Sequence, residues 1–287
     1  MSRCSTTRDG LVSEIAEGGG WIARGVMADL PRWTRQVPEE SHRVVVVPGA
    51  VHLDPEAFTA ATHSAYEMLF HDVDPESIAR VWNFIPQIND VVSKDIDRYM
   101  TFNAGRFQAY EAAFSCRTLH PVASGVGHAG EDLVLHALHG AASVERVSNS
   151  RQHEPHAYTR RFGPQPPAFS RAAIASFSEG SWFLVSGTAS VVGEASFHHE
   201  DAHAQTHETI KNLLALLEEA PEPVRYTKET DWLVYLPDEC LAGHVTKELV
   251  NRCNASPEHI VLRQQALCRP ELLVEIECAV RMGGVKA

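Results

Sequence analysis

The sequence lacks any run of lysine and arginine, and its 287 residues carry a formal net charge of −12. A chain this acidic is a poor partner for nucleic acid or an anionic membrane, so an anionic ligand has to be held by a few local arginines. It also lacks any stretch near the about 20 apolar residues that a membrane-spanning helix needs. Residues Met1 to Gly20 carry Arg, Asp and Glu with no continuous apolar core, so neither a secretory leader nor a membrane anchor is expected. The six cysteines, at positions 4, 116, 240, 253, 268 and 278, form no Cys-x-x-Cys pair and no small-domain disulfide spacing, which favours a reducing, cytoplasmic setting. No His-Glu-x-x-His motif is present. His199, His203 and His207 recur every fourth residue, a spacing that suits either a metal-chelating helix face or an ordinary solvated first turn.

A hydrophobic fraction of 44% and a charged fraction of 22% describe a soluble globular protein. The length exceeds what one small core needs, so two packed lobes or one large domain are expected. The first 40 residues, with Gly18, Gly19 and Gly20 and several prolines, read as irregular. Order is expected from Arg43 to Val47. Asp54 then caps a helix that opens on Pro55 and carries Phe58, Ala61, Ala65, Met68 and Leu69 inward. A strand over Ile78 to Ile85, a long helix over Asp95 to Phe114 and a strand over Asp132 to His139 complete a first half, and the polar, proline-rich stretch from Ala142 to Pro167 reads as a connection.

The second half repeats the order. A hairpin around Ser178 to Gly180 is followed by helices over His203 to Ala220 and Leu241 to Cys253, with strands over Trp232 to Leu236 and His259 to Arg263. The last strand is expected over Glu271 to Cys278. Asp132 to Leu138 and Glu271 to Glu277 occupy equivalent places, which points to a diverged duplication and an α+β class with helices on one face of each sheet.

Three constellations stand out. Ser186 to Gly193, Ser-Gly-Thr-Ala-Ser-Val-Val-Gly, puts small residues at the end of the apolar run Trp182 to Val185, as an ordinary turn or bulge does, or as a wall that lets a ligand approach the backbone. Alternation in the last strand puts Glu275 and Glu277 on one face, either a solvated edge or a proton-transfer site. Tyr158, Arg160, Arg161 and Arg171 lie in or beside a proline-stiffened loop, as a solvated charge cluster or an anion clamp; Arg106, on the long helix, needs an anion if it is buried.

Together these segments resemble the chorismatase family. The matching stretches are Val81 to Asp90 (Val-Trp-Asn-Phe-Ile-Pro-Gln-Ile-Asn-Asp), Arg98-Tyr99 with Phe102 to Phe107, Tyr158 to Pro167, Phe183 to Gly193, Gln205 with Glu208-Thr209, and Cys268 to Glu277. Leu272 to Val280 is similar to the closing strand of the Rid (YjgF-like) family. The resemblance implies two tandem Rid/chorismate mutase-like lobes, residues 1–145 and 146–287, with mixed sheets and the second lobe carrying most of the site, as a monomer or a homotrimer.

It further implies cleavage of chorismate to pyruvate and a hydroxybenzoate without metal or redox cofactor. Glu275 matches the family's catalytic acid. Arg106, Arg160, Arg161 and Arg263 would hold the substrate's two carboxylates, with Tyr158 and Gln205 beside it. Cysteine at the Cys268 position accompanies 3-hydroxybenzoate, and its absence accompanies a dihydroxycyclohexadiene carboxylate. Cys268 stands here with Ala189, a mixed pair that leaves both 3- and 4-hydroxybenzoate open. Glu194 stands where the family usually has His and Phe162 where it usually has Tyr. These departures leave open an amino analogue as substrate, or a Rid-like module that binds small acids without turnover.

Overall fold

A computed structural model describes residues 14–17 and 31–283. In chain order the first half runs β1 (Glu14–Glu17), β2 (His42–Val47), α1 (Pro55–Phe70), β3 (Arg80–Pro86), a small hairpin of β4 (Val91–Ser93) and β5 (Ile96–Asp97), α2 (Arg98–Ala113), β6 (Val122–His128) and β7 (Leu133–Leu138). The second half runs β8 (Ser143–Val147), β9 (Ala172–Phe177), β10 (Gly180–Ala189), the short pair β11 (Val191–Val192) and β12 (Ala195–Ser196), α3 (Ala202–Glu219), β13 (Asp231–Leu236), α4 (Ala242–Cys253), β14 (Ile260–Gln264) and β15 (Glu275–Met282).

Among the described residues, three of the four α-helices begin on an aspartate whose side chain accepts a backbone N–H in the first turn. Asp54 caps Ala57 at 2.9 Å, Asp97 caps Met100 at 2.7 Å and Asp201 caps Ala204 at 2.9 Å. Each cap satisfies a donor that the helix itself leaves orphaned.

The expected duplication is visible in the strand order. The first sheet runs β1-β2-β7-β3-β6 and the second β14-β13-β15-β10-β9-β8. In both, the strand before the first helix pairs antiparallel with the last strand, the last strand pairs antiparallel with the strand after the first helix, and that strand pairs parallel with the one after the second helix. The fold is α+β, as expected.

Strand alternation shows how the layers stack. In β3, Val81 and Ile85 pack with Phe58, Tyr66 and Phe102 of α1 and α2, while Trp82 and Phe84 face away from the helices. Trp82 and Phe84 join Trp33, Val134 and Leu138 against Trp182, Leu184, Leu233 and Tyr235 of the second sheet. On the far side, Phe183, Val185, Ile276 and Val280 meet Ile210, Leu213 and Leu249 of α3 and α4. The order is therefore helices, sheet, sheet, helices, and the two sheets press their inner faces together.

Four expectations need correction. Residues 1–13 and 18–30 lie outside the described residues, but Glu14–Glu17 is a strand on β2 rather than irregular chain. The stretch from Ala142 to Pro167 contains β8, an edge strand of the second sheet. β6 went unrecognised because Gly125 and Gly127 interrupt its apolar pattern. The last strand starts at Glu275, not Glu271: the Leu273 amide donates to the Gln205 side chain at 2.8 Å instead of to a neighbouring strand. Leu272 and Leu273, before the strand, point to the inter-sheet and helix sides respectively, so the alternation begins two residues later than expected.

α1 and α2 cross at Gly105, where an added Cβ would lie 2.4 Å from the Thr59 carbonyl oxygen and 2.8 Å from Thr62 Cβ. Gly105→Ala is expected to cost about 1 to 3 kcal/mol through overpacking. Urea unfolding measures it, and an unchanged midpoint would show that the helices part freely at this crossing.

Candidate active site

A cavity of about 270 Å³ opens where the first sheet's edge strand, β6, meets β10 and the start of β15. Ser124 and Gly125 of β6, Gly187 and Ala189 of β10, and Glu275 line it, together with Tyr99 and Arg106 of α2, Tyr158, Arg161, Phe162 and Arg171 of the long loop, and Cys268 and Arg269 of the turn before β15.

The cavity exists because β10 is irregular there. Its register against β15 shifts between Val185 and Thr188, so Ser186 and Gly187 bulge out of the ladder. Buried donors from the first half fix the bulge: Arg80 Nη1 donates to the Val185 carbonyl at 2.8 Å, and Ser186 Oγ accepts from the Ala123 amide at 3.0 Å. The Gly187 amide donates to Ser124 Oγ at 3.0 Å. A Cβ on Gly187 would lie 2.0 Å from Glu275 Oε1, so only glycine lets that carboxyl stand where it does. The small-residue stretch is both a bulge and a cavity wall.

Glu275 and Glu277 share one face of β15, as alternation requires, but their surroundings differ. Glu277 is buried and accepts from Arg80 Nη2 at 2.5 Å, Ser124 Oγ at 2.5 Å, Trp82 Nε1 at 2.7 Å and Tyr235 OH at 3.2 Å. Glu275 is 3% exposed and lines the cavity. Burial, and next the charge of Glu277, push its carboxyl up to about 8, against the opposing pull of Arg80 and Arg269. It thus holds a proton at neutral pH. The Cys268 thiol is pushed up to about 12 by burial and by Glu275, so it is a neutral thiol at working pH.

Four guanidinium groups line the same space: Arg106, Arg161, Arg171 and Arg269. Arg106 and Arg171 are buried, and the Nε–H of each has no acceptor among the described residues. Arg106 Nη2 donates to Asn103 at 2.6 Å; Arg171 Nη2 donates to Tyr158 OH at 2.7 Å and the His153 carbonyl at 2.6 Å. Arg269 stacks 3.9 Å from the centre of the Phe162 ring and donates to the Glu194 carbonyl at 2.9 Å. The Glu194 carboxylate in turn accepts from the Thr159 amide at 2.8 Å and hydroxyl at 2.7 Å, which ties the loop over the cavity and holds that carboxyl below its usual range.

Among the residues singled out in the sequence, Glu275, Cys268, Arg106, Tyr158, Arg161 and Ala189 meet at this cavity. Three do not. Arg160 is exposed on the turn Arg160–Phe162, Arg263 sits on β14 level with Tyr235, and neither lines the cavity. Gln205 is buried and holds the chain before β15, donating to the Glu271 carbonyl at 2.8 Å and accepting from Leu273. Sequence reasoning missed Ser124, Arg269 and the buried Arg80. Arg80 carried a legible signal, because an arginine inside the apolar run Ile78 to Trp82 demands a buried carboxylate. His199 bonds the Ser196 carbonyl, His203 packs at a tilt against the His244 ring and His207 pairs with Glu248. Among the described residues no three His, Cys, Asp or Glu side chains are grouped to hold a metal ion.

Residues 36–139 match the family described as Chorismatase FkbO/Hyg5-like, N-terminal. A 3-hydroxybenzoate synthase of Streptomyces hygroscopicus is 28% identical over 240 residues, 78% of this chain and 70% of that protein. The chain is therefore similar to the chorismatase family, by the family model over residues 36–139 and by that synthase over 78% of its length. A chorismatase of Streptomyces rapamycinicus is 32% identical over 165 residues, 56% of this chain and 49% of that one. This chain thus spans about half the length of that chorismatase. The fold agrees with a crystal structure of a chorismatase at a TM-score of 0.71, with 24% identity, covering 83% of this chain and 74% of that one.

Cysteine accessibility tests the geometry. Cys116 is exposed, and its thiol is lowered by hydrogen bonds from Thr118. At pH 8 iodoacetamide is expected to alkylate Cys116 first among the cysteines of the described residues, and Cys268 on the order of 10³-fold more slowly than a free cysteine, because only the thiolate reacts. Peptide mass spectrometry reads both rates; comparable rates would contradict the half-buried, neutral thiol.

Proposed function

We propose that this chain cleaves chorismate to pyruvate and a hydroxybenzoate, 3-hydroxybenzoate first among the products. The observation that carries the proposal is a protonated, buried Glu275 facing a cavity that also presents two buried arginines with unsatisfied N–H groups. Chorismate has the complementary chemistry: two carboxylates for guanidinium forks and an enol ether that is cleaved by protonation on carbon.

Glu275 donates its proton to the terminal methylene carbon of the enolpyruvyl group, which becomes a methyl group, and the adjacent carbon becomes an oxocarbenium ion. Water adds to that carbon, and the resulting hemiketal collapses to pyruvate as the bond to the ether oxygen breaks, leaving a hydroxyl on the ring. In the aromatising route the ring loses the elements of water as it becomes a hydroxybenzoate, and one water is taken up in forming pyruvate, so no net water is consumed. In the hydrolytic route one net water is taken up and the product is a dihydroxycyclohexadiene carboxylate. Arg106, Arg171, Arg161 and Arg269 hold the carboxylates, replacing the role expected of Arg160 and Arg263, and Tyr158 is fixed by Arg171 at the edge of the substrate. Cys268, a neutral thiol near Glu275, steers the ring intermediate toward the aromatic product. Once Glu275 has given up its proton it is the base that recovers one from the water adding to the oxocarbenium carbon.

The direct test incubates the protein with chorismate and couples released pyruvate to lactate dehydrogenase; no pyruvate would sink the reading. Glu275→Gln is expected to retain the fold and lower kcat by roughly 10² to 10⁴, the usual contribution of a positioned general acid. The reactive form of Glu275 is the protonated one, so kcat is expected to hold below pH 8 and fall as pH rises through about 8. A profile that rises across that range would assign the acid elsewhere.

Cys268→Ala is expected to go on releasing pyruvate, because protonation precedes the branch, while the hydroxybenzoate falls and a dihydroxy acid appears. An unchanged ratio of hydroxybenzoate to pyruvate on chromatography would reduce Cys268 to a small buried hydrophobe.

A further inference from the structure

Two residues two apart on one strand face have Cα atoms about 7 Å from one another, so the carboxylates of Glu275 and Glu277 are neighbours on β15. One of them, Glu277, receives four hydrogen bonds, from Arg80, Trp82, Ser124 and Tyr235, and does not line the cavity. The other lines the cavity and lies against the bare backbone of Gly187. Four donors, one of them a guanidinium, surround the first group, and Glu277 is the buried ion-pair partner of Arg80.

We propose that Glu277 is a positioning residue for Glu275: an ion-paired neighbour, locked by Arg80, Trp82, Ser124 and Tyr235, whose charge keeps the proton on the carboxyl that faces the cavity. This rests on the reading of Glu275 as the proton donor. A fixed charge about 7 Å away raises the midpoint of a buried acid by about one to two pH units at an effective dielectric near 20. The other charged or titratable groups acting with Glu275 are Arg80 from β3, Tyr235 from β13, Tyr99 from α2, and Cys268 and Arg269 from the turn before β15. Arg80 and Arg269 oppose Glu277, and neither outweighs it. The three neutral groups titrate above Glu275 and stay neutral while it loses its proton.

The sign follows directly. Removing the Glu277 charge while leaving Arg80 favours the ionised form of Glu275, so its midpoint moves down. In Glu277→Gln the Glu275 carboxyl is expected to titrate about one pH unit or more lower than in the unaltered protein. Isotope-edited infrared spectroscopy reads that midpoint without any substrate, with the band assigned by its loss in Glu275→Gln. An unchanged or raised midpoint would overturn the proposal, as a purely structural Glu277 predicts.

If Glu277→Gln does not fold, Arg80→Met combined with Glu277→Gln removes both charges together. The midpoint is then expected to fall by a smaller amount, because Glu277 outweighs Arg80, and a midpoint at or above the starting value would count against the proposal. With chorismate, the alkaline limb of kcat is expected to shift down in step. A protein that releases no pyruvate yet shows the spectroscopic shift would refute the chorismate reading and leave the role of Glu277 standing.

Discussion

The Arg80–Glu277 pair, 2.5 Å apart and buried between two sheets, is the constraint on which the site depends. One partner comes from the first half of the chain and the other from the last strand, 197 residues later. A buried ion pair of this kind repays its desolvation only when the remaining donors and acceptors are satisfied as well. Here Trp82, Ser124 and Tyr235 complete Glu277, and the Val185 carbonyl and Ser124 hydroxyl accept from Arg80 Nη1 and Nη2, while its Nε–H has no acceptor among the described residues. The same guanidinium therefore neutralises the anion and pins the carbonyl at which β10 leaves its ladder.

That coupling places Gly187 against Glu275. A regular β10 would direct side chains into the space between the sheets, as Trp182 and Leu184 do further back along the strand. The bulge substitutes backbone for side chain at one point, and the carboxyl of Glu275 fills the clearance. With apolar packing behind it and the fixed charge of Glu277 beside it, the group holds a proton under conditions where an exposed glutamate would have lost it. The site is thus an electrostatic consequence of a packing defect.

The two halves share a winding, but only one of them has this chemistry. The strand of the first half that matches β15 is β7, and it turns Val134, His136 and Leu138 toward the inter-sheet space where β15 presents Glu275 and Glu277. His136 bonds His42 at 3.0 Å and packs its ring at a tilt against Trp82, 5.3 Å away, so its place belongs to the core. The first half instead lends Ser124, Tyr99 and Arg106 to the cavity from its edge strand and second helix. Duplication supplied two scaffolds, and one became the floor of a site whose side wall is the other.

The sequence by itself determined the local elements and the chemistry available to them. Asp54 before Pro55 marked a capped helix, and the Ser178 to Gly180 turn marked a hairpin, because both signals lie within a few residues. A period of two was enough to put Glu275 and Glu277 on one face. Which of the two would carry the proton was decided by Arg80, Trp82, Ser124 and Tyr235, residues from three other strands that no spacing rule connects. The same holds for the arginines. The pair Arg160-Arg161 attracted notice by adjacency, yet a tight turn sends Arg160 to solvent, while Arg171 and Arg269 reach the cavity from segments about a hundred residues apart. Only tertiary structure could decide this, because a proton's affinity for a buried group depends on charges and solvent exclusion summed over every segment that surrounds it.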